Sequence, residues 1–199
     1  YFFLGRYSSA NGTHQWSKLF GKTGDQGGRG LAAATNGDIF LTGIFSGSVD
    51  WKTGVTMTAP AGTTDAYVAR LQVSDGSYLM HAKGNCVGAC VATSVALDGS
   101  ENVTVFGHFN GTIGFGGQPL TSGTMNNDTF LVKLRANDWT PAWAKSFGTS
   151  GNQYGWDVAV LPNGRTLAGG AFYTELEVPP MAQINSTGGA DLFAVRMVP

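Results

Sequence analysis

Two stretches of this chain, 127 residues apart, are versions of one another. The segment from Trp16 to Phe45, WSKLFGKTGDQGGRGLAAATNGDIFLTGIF, aligns without a gap to Trp143 through Phe172, WAKSFGTSGNQYGWDVAVLPNGRTLAGGAF. Twelve of the 30 positions are identical: Trp16, Lys18, Phe20, Gly21, Gly24, Gln26, Gly28, Ala32, Asn36, Gly37, Gly43 and Phe45, each with its partner. Repetition constrains a fold more than composition does, because every copy has to solve the same packing problem with the same residue types. A divergent copy lies between, with His81-Ala82-Lys83 read at the Trp-x-Lys place and Gly107-His108-Phe109 matching Gly43-Ile44-Phe45. The unit ends recur at steps of 63 residues, as Asp65 to Leu71, Asp128 to Leu134 and Asp191 to Met197. The chain therefore reads as repeats over residues 8–72, 73–135 and 136–199, with residues 1–7 as the last strand of a preceding repeat.

Within a unit the apolar residues alternate with period two and are rich in β-branched and aromatic types, with turn signals between them. Strands are expected near Gln15 to Leu19, Gly30 to Thr35, Asp38 to Phe45 and Asp65 to Leu71, with counterparts in the other units. Asn36-Gly37, Asp98-Gly99 and Asn163-Gly164 stand where hairpins need positive φ. No stretch sustains a helical stripe. The expectation is an all-β chain of tandem four-stranded antiparallel sheets, the description of β-propeller blades: about three blades plus one strand, an incomplete ring. Ala32, Ala33, Ala34, Ala96 and Ala159 fit the crowded axis of such a ring.

The pattern Trp-x-Lys-x-Phe-Gly, Asn-Gly-x-hairpin-Gly-x-Phe, Asp-x-Phe/Tyr-x-x-Lys/Arg-Leu resembles the bacterial SBBP-type β-propeller repeat of secreted and surface-anchored proteins. The outer units match it well, and the middle unit departs from it at His81 and Asn85-Cys86. That resemblance implies architecture and an exported setting, and transfers no catalytic residue.

Composition narrows the function classes. Thirty glycines, 13 % charged residues and a formal net charge of -1 exclude a coiled coil or charged disordered tail and offer no general field for nucleic acid or an anionic membrane. No apolar run approaches a transmembrane segment, and Tyr1-Phe2-Phe3-Leu4 is too short for a signal-peptide core. Residue 1 is not Met, so the chain is read as a processed product or a piece of a longer one.

Cys86 and Cys90 are the only cysteines, four apart in a loop where the other units have Phe-Gly-x-x-Gly. A local disulfide is the expectation, with free thiols and a metal as alternatives, and zinc would want further ligands at the right spacing. His14, His81 and His108 are dispersed and read as packing residues. Glu175 and Glu177 are at same-face strand spacing beside Pro179 and Pro180, which favours a solvated loop edge over acid and base work. Asp65, Asp128 and Asp191 recur in every unit and read as turn caps, with calcium a minor alternative. No Gly-x-Ser-x-Gly, Gly-x-x-x-x-Gly-Lys or His-Glu-x-x-His occurs. Gly24 to Gly28 resembles a phosphate cradle by composition alone.

Trp16 and Trp143 are repeat-equivalent and expected between sheets, whereas Trp51, Trp139 and Trp156 are unit-specific and the candidate ligand-binding residues. Asn-x-Ser/Thr sequons begin at Asn11, Asn102, Asn110, Asn127 and Asn185. No cofactor is implied. The leading expectation is a non-catalytic exported binding or scaffold propeller working through blade-edge loops, with a protein or glycan partner and its ring completed by further blades or a second copy. The alternatives are a lectin-like propeller, or part of a propeller enzyme whose site needs other blades.

Overall fold

A computed structural model describes residues 1–123, 126–178 and 183–197. Pro179 and Pro180 lie outside the described residues. Among the described residues the chain is all-β, without a helix. It opens on an antiparallel pair, β1 (Phe2–Tyr7) and β2 (His14–Phe20). β3 (Gln26–Ala33) and β4 (Ile39–Phe45) follow, then a small flap of β5 (Ser48–Asp50) and β6 (Thr56–Thr58), then β7 (Asp65–Leu71) and β8 (Tyr78–Lys83). β3-β4-β7-β8 is one antiparallel sheet. The pattern recurs with β9 (Val87–Leu97), β10 (Val103–Ile113), β11 (Leu120–Thr121), β12 (Asp128–Leu134) and β13 (Pro141–Phe147), where β10 pairs with both β9 and β12, and β12 with β13. β14 (Gln153–Val160), β15 (Thr166–Leu176) and β16 (Ile184–Met197) form a three-stranded sheet in chain order.

Sheets and sequence units are out of phase by one strand. Each Trp-x-Lys strand pairs with the Asp-x-Phe/Tyr strand of the unit before it, through short turns such as 72–77. The sheets β1-β2, β3-β4-β7-β8 and β9 to β13 thus each straddle two units, which ties neighbouring repeats by backbone hydrogen bonds as well as by packing, while β14-β15-β16 lies within the last unit.

The pairing register also corrects the alignment of the middle unit. Arg6 faces Trp16 and Lys133 faces Trp143, while Arg70 faces Met80. Met80, not His81, occupies the Trp place. The hairpin tips differ as well: the turn closes from Ala34 to Asp38, and of Asn36 and Gly37 only Gly37 has positive φ. In the middle unit that backbone position falls on Glu101 (φ 60°) rather than on Gly99, and in the last on Gly164.

The interior is divided into three apolar clusters, one for each gap between consecutive sheets. Phe2, Leu4 and Phe20 meet Leu41, Phe45, Tyr67 and Leu71 in the first. Phe40, Ala66 and Val68 meet Val95, Val105, Phe109, Phe130 and Leu134 in the second. Phe106 and Leu131 meet Val158, Ala168, Phe172 and Val195 in the third. Alternation along each strand explains this: one set of side chains faces the sheet before, the other the sheet after.

Candidate binding surface

The three first strands, β3, β9 and β14, run side by side, and all carry the same irregularity. Pairing skips Arg29 between Gly28 and Gly30, Thr93 between Ala92 and Ser94, and Trp156 between Gly155 and Asp157. These are β-bulges at one repeat-equivalent place, and each delivers one extra residue. They require glycine on the neighbouring strand. A Cβ on Gly43, Gly107 or Gly170 would lie 1.9, 1.9 or 2.0 Å from the carbonyl oxygen of Gly27, Val91 or Tyr154. The glycine tract before Ala32 is strand from Gln26 onward, earlier than the start expected at Gly30, and it lacks the helix N-terminus that a phosphate cradle uses.

Around the bulges the inner strands touch closely. The Ser94 hydroxyl donates to Asp157 Oδ1 at 2.5 Å, and a Cβ on Gly30 would meet Ser94 Cα at 2.9 Å. The hairpin tips line up too, with Thr35 donating to Glu101 Oε1 at 2.7 Å and the Gly99 amide donating to the Pro162 carbonyl at 3.1 Å. What results is a continuous surface on which bulge residues of different chemistry stand at equivalent points: a guanidinium, a hydroxyl and an indole. Arg29 and Trp156 are exposed, whereas the Thr93 hydroxyl turns back to the Phe106 carbonyl.

Of the three candidate tryptophans, only Trp156 reaches solvent. It is 53 % exposed, while Trp51 and Trp139 are 1 % and 4 % exposed. Trp51 and Trp139 are thereby corrected from candidate ligand contacts to core residues. Trp51 stacks on Tyr78 (5.4 Å between centroids) and on His81, and Trp139 lies 5.8 Å from Phe40. Trp51 and Trp139 fill gaps that the shared residues leave open, whereas repeat-equivalent Trp16 sits at the margin, its indole N–H donating to the Val73 carbonyl.

The other candidates have structural roles. Cys86 and Cys90 are disulfide-bonded, as expected. Register places Cys90 opposite Phe109, where Gln26 faces Phe45 and Gln153 faces Phe172. In the outer units that glutamine holds backbone carbonyls, Gln26 donating to that of Gly24 in its own loop and Gln153 to that of Glu175 near the end of β15. The middle unit replaces the tie with a covalent one.

Asp128 accepts from the Gly123 amide and Asp191 from that of Thr187, while Asp65 accepts from Cys86 in the next unit. Burial pushes the Asp65 and Asp128 carboxyls above the ordinary range, against which the amide bonds and, for Asp65, nearby Lys83 pull down. His108 packs edge-on against Tyr154. Burial, aided by the charge of Arg29 and opposed by a bond to the Gly155 backbone, lowers its pKa to about 4, so the ring is neutral. His81 is likewise lowered, by burial first and then by Lys83. Glu175 and Glu177 do not form a pair. Thr174 has φ of 66°, the register shifts there, and Glu177 lies past the end of β15, while Glu175 is held by Ser150.

Among the described residues no three His, Cys, Asp or Glu side chains gather as a metal site, and no helix is long and apolar enough to cross a membrane. Compared with known proteins, the chain matches no family model and no curated protein.

Proposed function

We propose that the sheets are consecutive blades of a β-propeller of the SBBP-like kind, and that the protein is a non-catalytic, exported binding or scaffold module. One observation carries the functional reading: the three inner strands share a rigid glycine-framed bulge, yet present Arg29, Thr93 and Trp156 at it. A framework held constant while the displayed side chain changes is what a binding surface needs, because a stiff scaffold spends little entropy on ordering its contacts. The disulfide supports an oxidising, extracytoplasmic setting. The out-of-phase sheets support blades, since a strand lent to the preceding sheet is how consecutive blades are locked together.

A lectin-like reading is favoured by Trp156, whose half-exposed indole offers a stacking face for a sugar ring. The two readings separate on a glycan array and in capture of protein partners, each run with the wild type, Trp156→Ala and Arg29→Ala. A glycan signal lost in Trp156→Ala supports the lectin. A partner signal lost in Arg29→Ala supports the protein-binding module. Retention of every signal in both variants removes the bulge surface from the account.

A further inference from the structure

Where the sheet of β9 to β13 meets β14-β15-β16, two buried oxygens turn toward each other. Asp128 opens β12 and Gln153 opens β14, and their backbones already adjoin, the Gln153 amide donating to the Asn127 carbonyl at 2.7 Å. Asp128 Oδ1 and Gln153 Oε1 are both buried and without a hydrogen-bond partner. A Cβ on Gly148 would lie 2.3 Å from the first and 2.7 Å from the second, so both close on one point. The Gln153 side chain is held with its oxygen on this side, because Nε2 donates to the Glu175 carbonyl at 2.8 Å and a flip would set Oε1 against that carbonyl.

Two acceptors turned toward one another in a buried place repel unless something positive lies between them. We propose that a proton does: the Asp128 carboxyl is held neutral, its O–H donating to Gln153 Oε1, and the pair is a proton-operated latch between consecutive sheets. A cation fits less well, since calcium takes about six to eight oxygens and only these two unpaired ones converge. The inference rests on the packing of the two sheets and not on what the bulge surface binds.

The surroundings supply no compensating charge. The titratable groups on the elements packed around Asp128 are His108, Tyr154, Tyr173 and Glu175. His108 and Tyr173 pack against the Tyr154 ring, the Tyr154 hydroxyl accepts from Asn127, and the Glu175 carboxylate accepts from Ser150 and Gln183. Lys145 on β13 lies opposite Leu131. Burial raises the Asp128 carboxyl, opposed by the Gly123 amide on Oδ2. With its folded value above the ordinary 3.8, the latch is closed in acid and lost as pH rises through that folded value, the proton leaving to solvent. The bare carboxylate then needs a donor, and the Gln153 amide supplies it by turning over, Nε2 to Oδ1. The Glu175 carbonyl loses that bond and keeps the Thr149 hydroxyl at 3.3 Å, so the end of β15 past the irregularity at Thr174 is held less firmly.

The other gaps lack the pair. Asp65 has the place of Asp128, but there Cys90 stands where Gln153 does, and Lys83 lies near. Gln26 has Gly21 and Tyr1 against its Oε1, and no carboxyl.

The test is side-chain NMR of the whole chain across a pH series, following Asp128 Cγ and the Gln153 Nε2 protons, with Asp128→Asn as a variant that keeps a donor toward Oε1 at every pH. In wild type Asp128 is expected to titrate above 3.8, with the Gln153 protons moving at the same midpoint. In Asp128→Asn those protons are expected to hold their acid positions throughout. The wild-type arm decides alone if the variant does not fold. An Asp128 that titrates at or below the ordinary value, or Gln153 protons that do not respond, overturns the proposal. So does a midpoint that falls when calcium is added at constant ionic strength, which would put a cation between the oxygens.

Discussion

At Gly43, Gly107 and Gly170 a single hydrogen in place of a methyl lets a bulged strand lie against its neighbour. Alanine at any of them would press a carbon into a backbone carbonyl that cannot swing away, so each substitution is expected to cost at least about 2 kcal/mol in chemical denaturation. Gly188→Ala, with nothing within 4 Å of its Cβ site, is the control and should leave the denaturation midpoint nearly unchanged. The identity of Gly43 and Gly170 is visible in the repeat, but its cause is not, because a bulge belongs to the pairing of two strands. The tryptophans misled for a similar reason: residue type says that an indole is large, whereas burial depends on which gap it fills. His108 supplies a pH signature. Its folded pKa of about 4 lies below the ordinary 6.5, so on acidification the unfolded chain takes up a proton first. Stability from this group is complete above that ordinary value and is lost as pH falls toward about 4. His108→Gln should remove up to about 3 kcal/mol of the stability difference between neutral pH and pH about 4. Asp65 and Asp128, with raised pKa values, slope the other way in both proteins and cancel in the comparison. Parallel stability curves for wild type and variant would show that His108 is not desolvated as described.

Among elements, the loop between the last strand of one sheet and the first of the next shows how one problem takes two solutions. Gln26 closes it with its side-chain amide on the Gly24 carbonyl, and Cys90 closes it with a bond to Cys86. The enclosed loop is short, so the bridge is expected to contribute at the low end of its usual range, about 2 kcal/mol. Thermal unfolding with and without reductant measures it: wild type should lose that stability on reduction, and the Cys86→Ser, Cys90→Ser double variant should be indifferent to reductant. A wild type equally indifferent would contradict the bridge. The strands themselves were largely legible, since alternation and turn residues mark β4 and β7 within a residue, although β10, β15 and β16 extend several residues beyond the matching segments. Two things were not. The glycine tract at Gln26 reads as loop because glycine is a poor strand former, and only pairing with Phe45 makes it strand. The middle unit reads one residue out of place because His81-Ala82-Lys83 mimics Trp-x-Lys, while the pairing of Arg70 with Met80 puts Met80 there.

For the whole molecule, the 63-residue period fixes how many sheets form, and the one-strand offset fixes how they are joined, but neither states the angle between them. That angle separates a propeller from a flat stack. Gln15, Leu79 and Ala142 are register-equivalent, exposed bulge residues on the outer strands β2, β8 and β13, well suited to spin labels introduced through cysteine. Pulsed EPR on the three doubly labelled pairs, at a dilution where chains are separate, tests the central claim directly. The 15–79 and 79–142 distances are predicted to be equal. The 15–142 distance is predicted to be roughly 1.4 to 1.85 times as long, the chord ratio for rings of four to eight blades. A ratio of about 2, as in a flat stack, or unequal neighbour distances would contradict it.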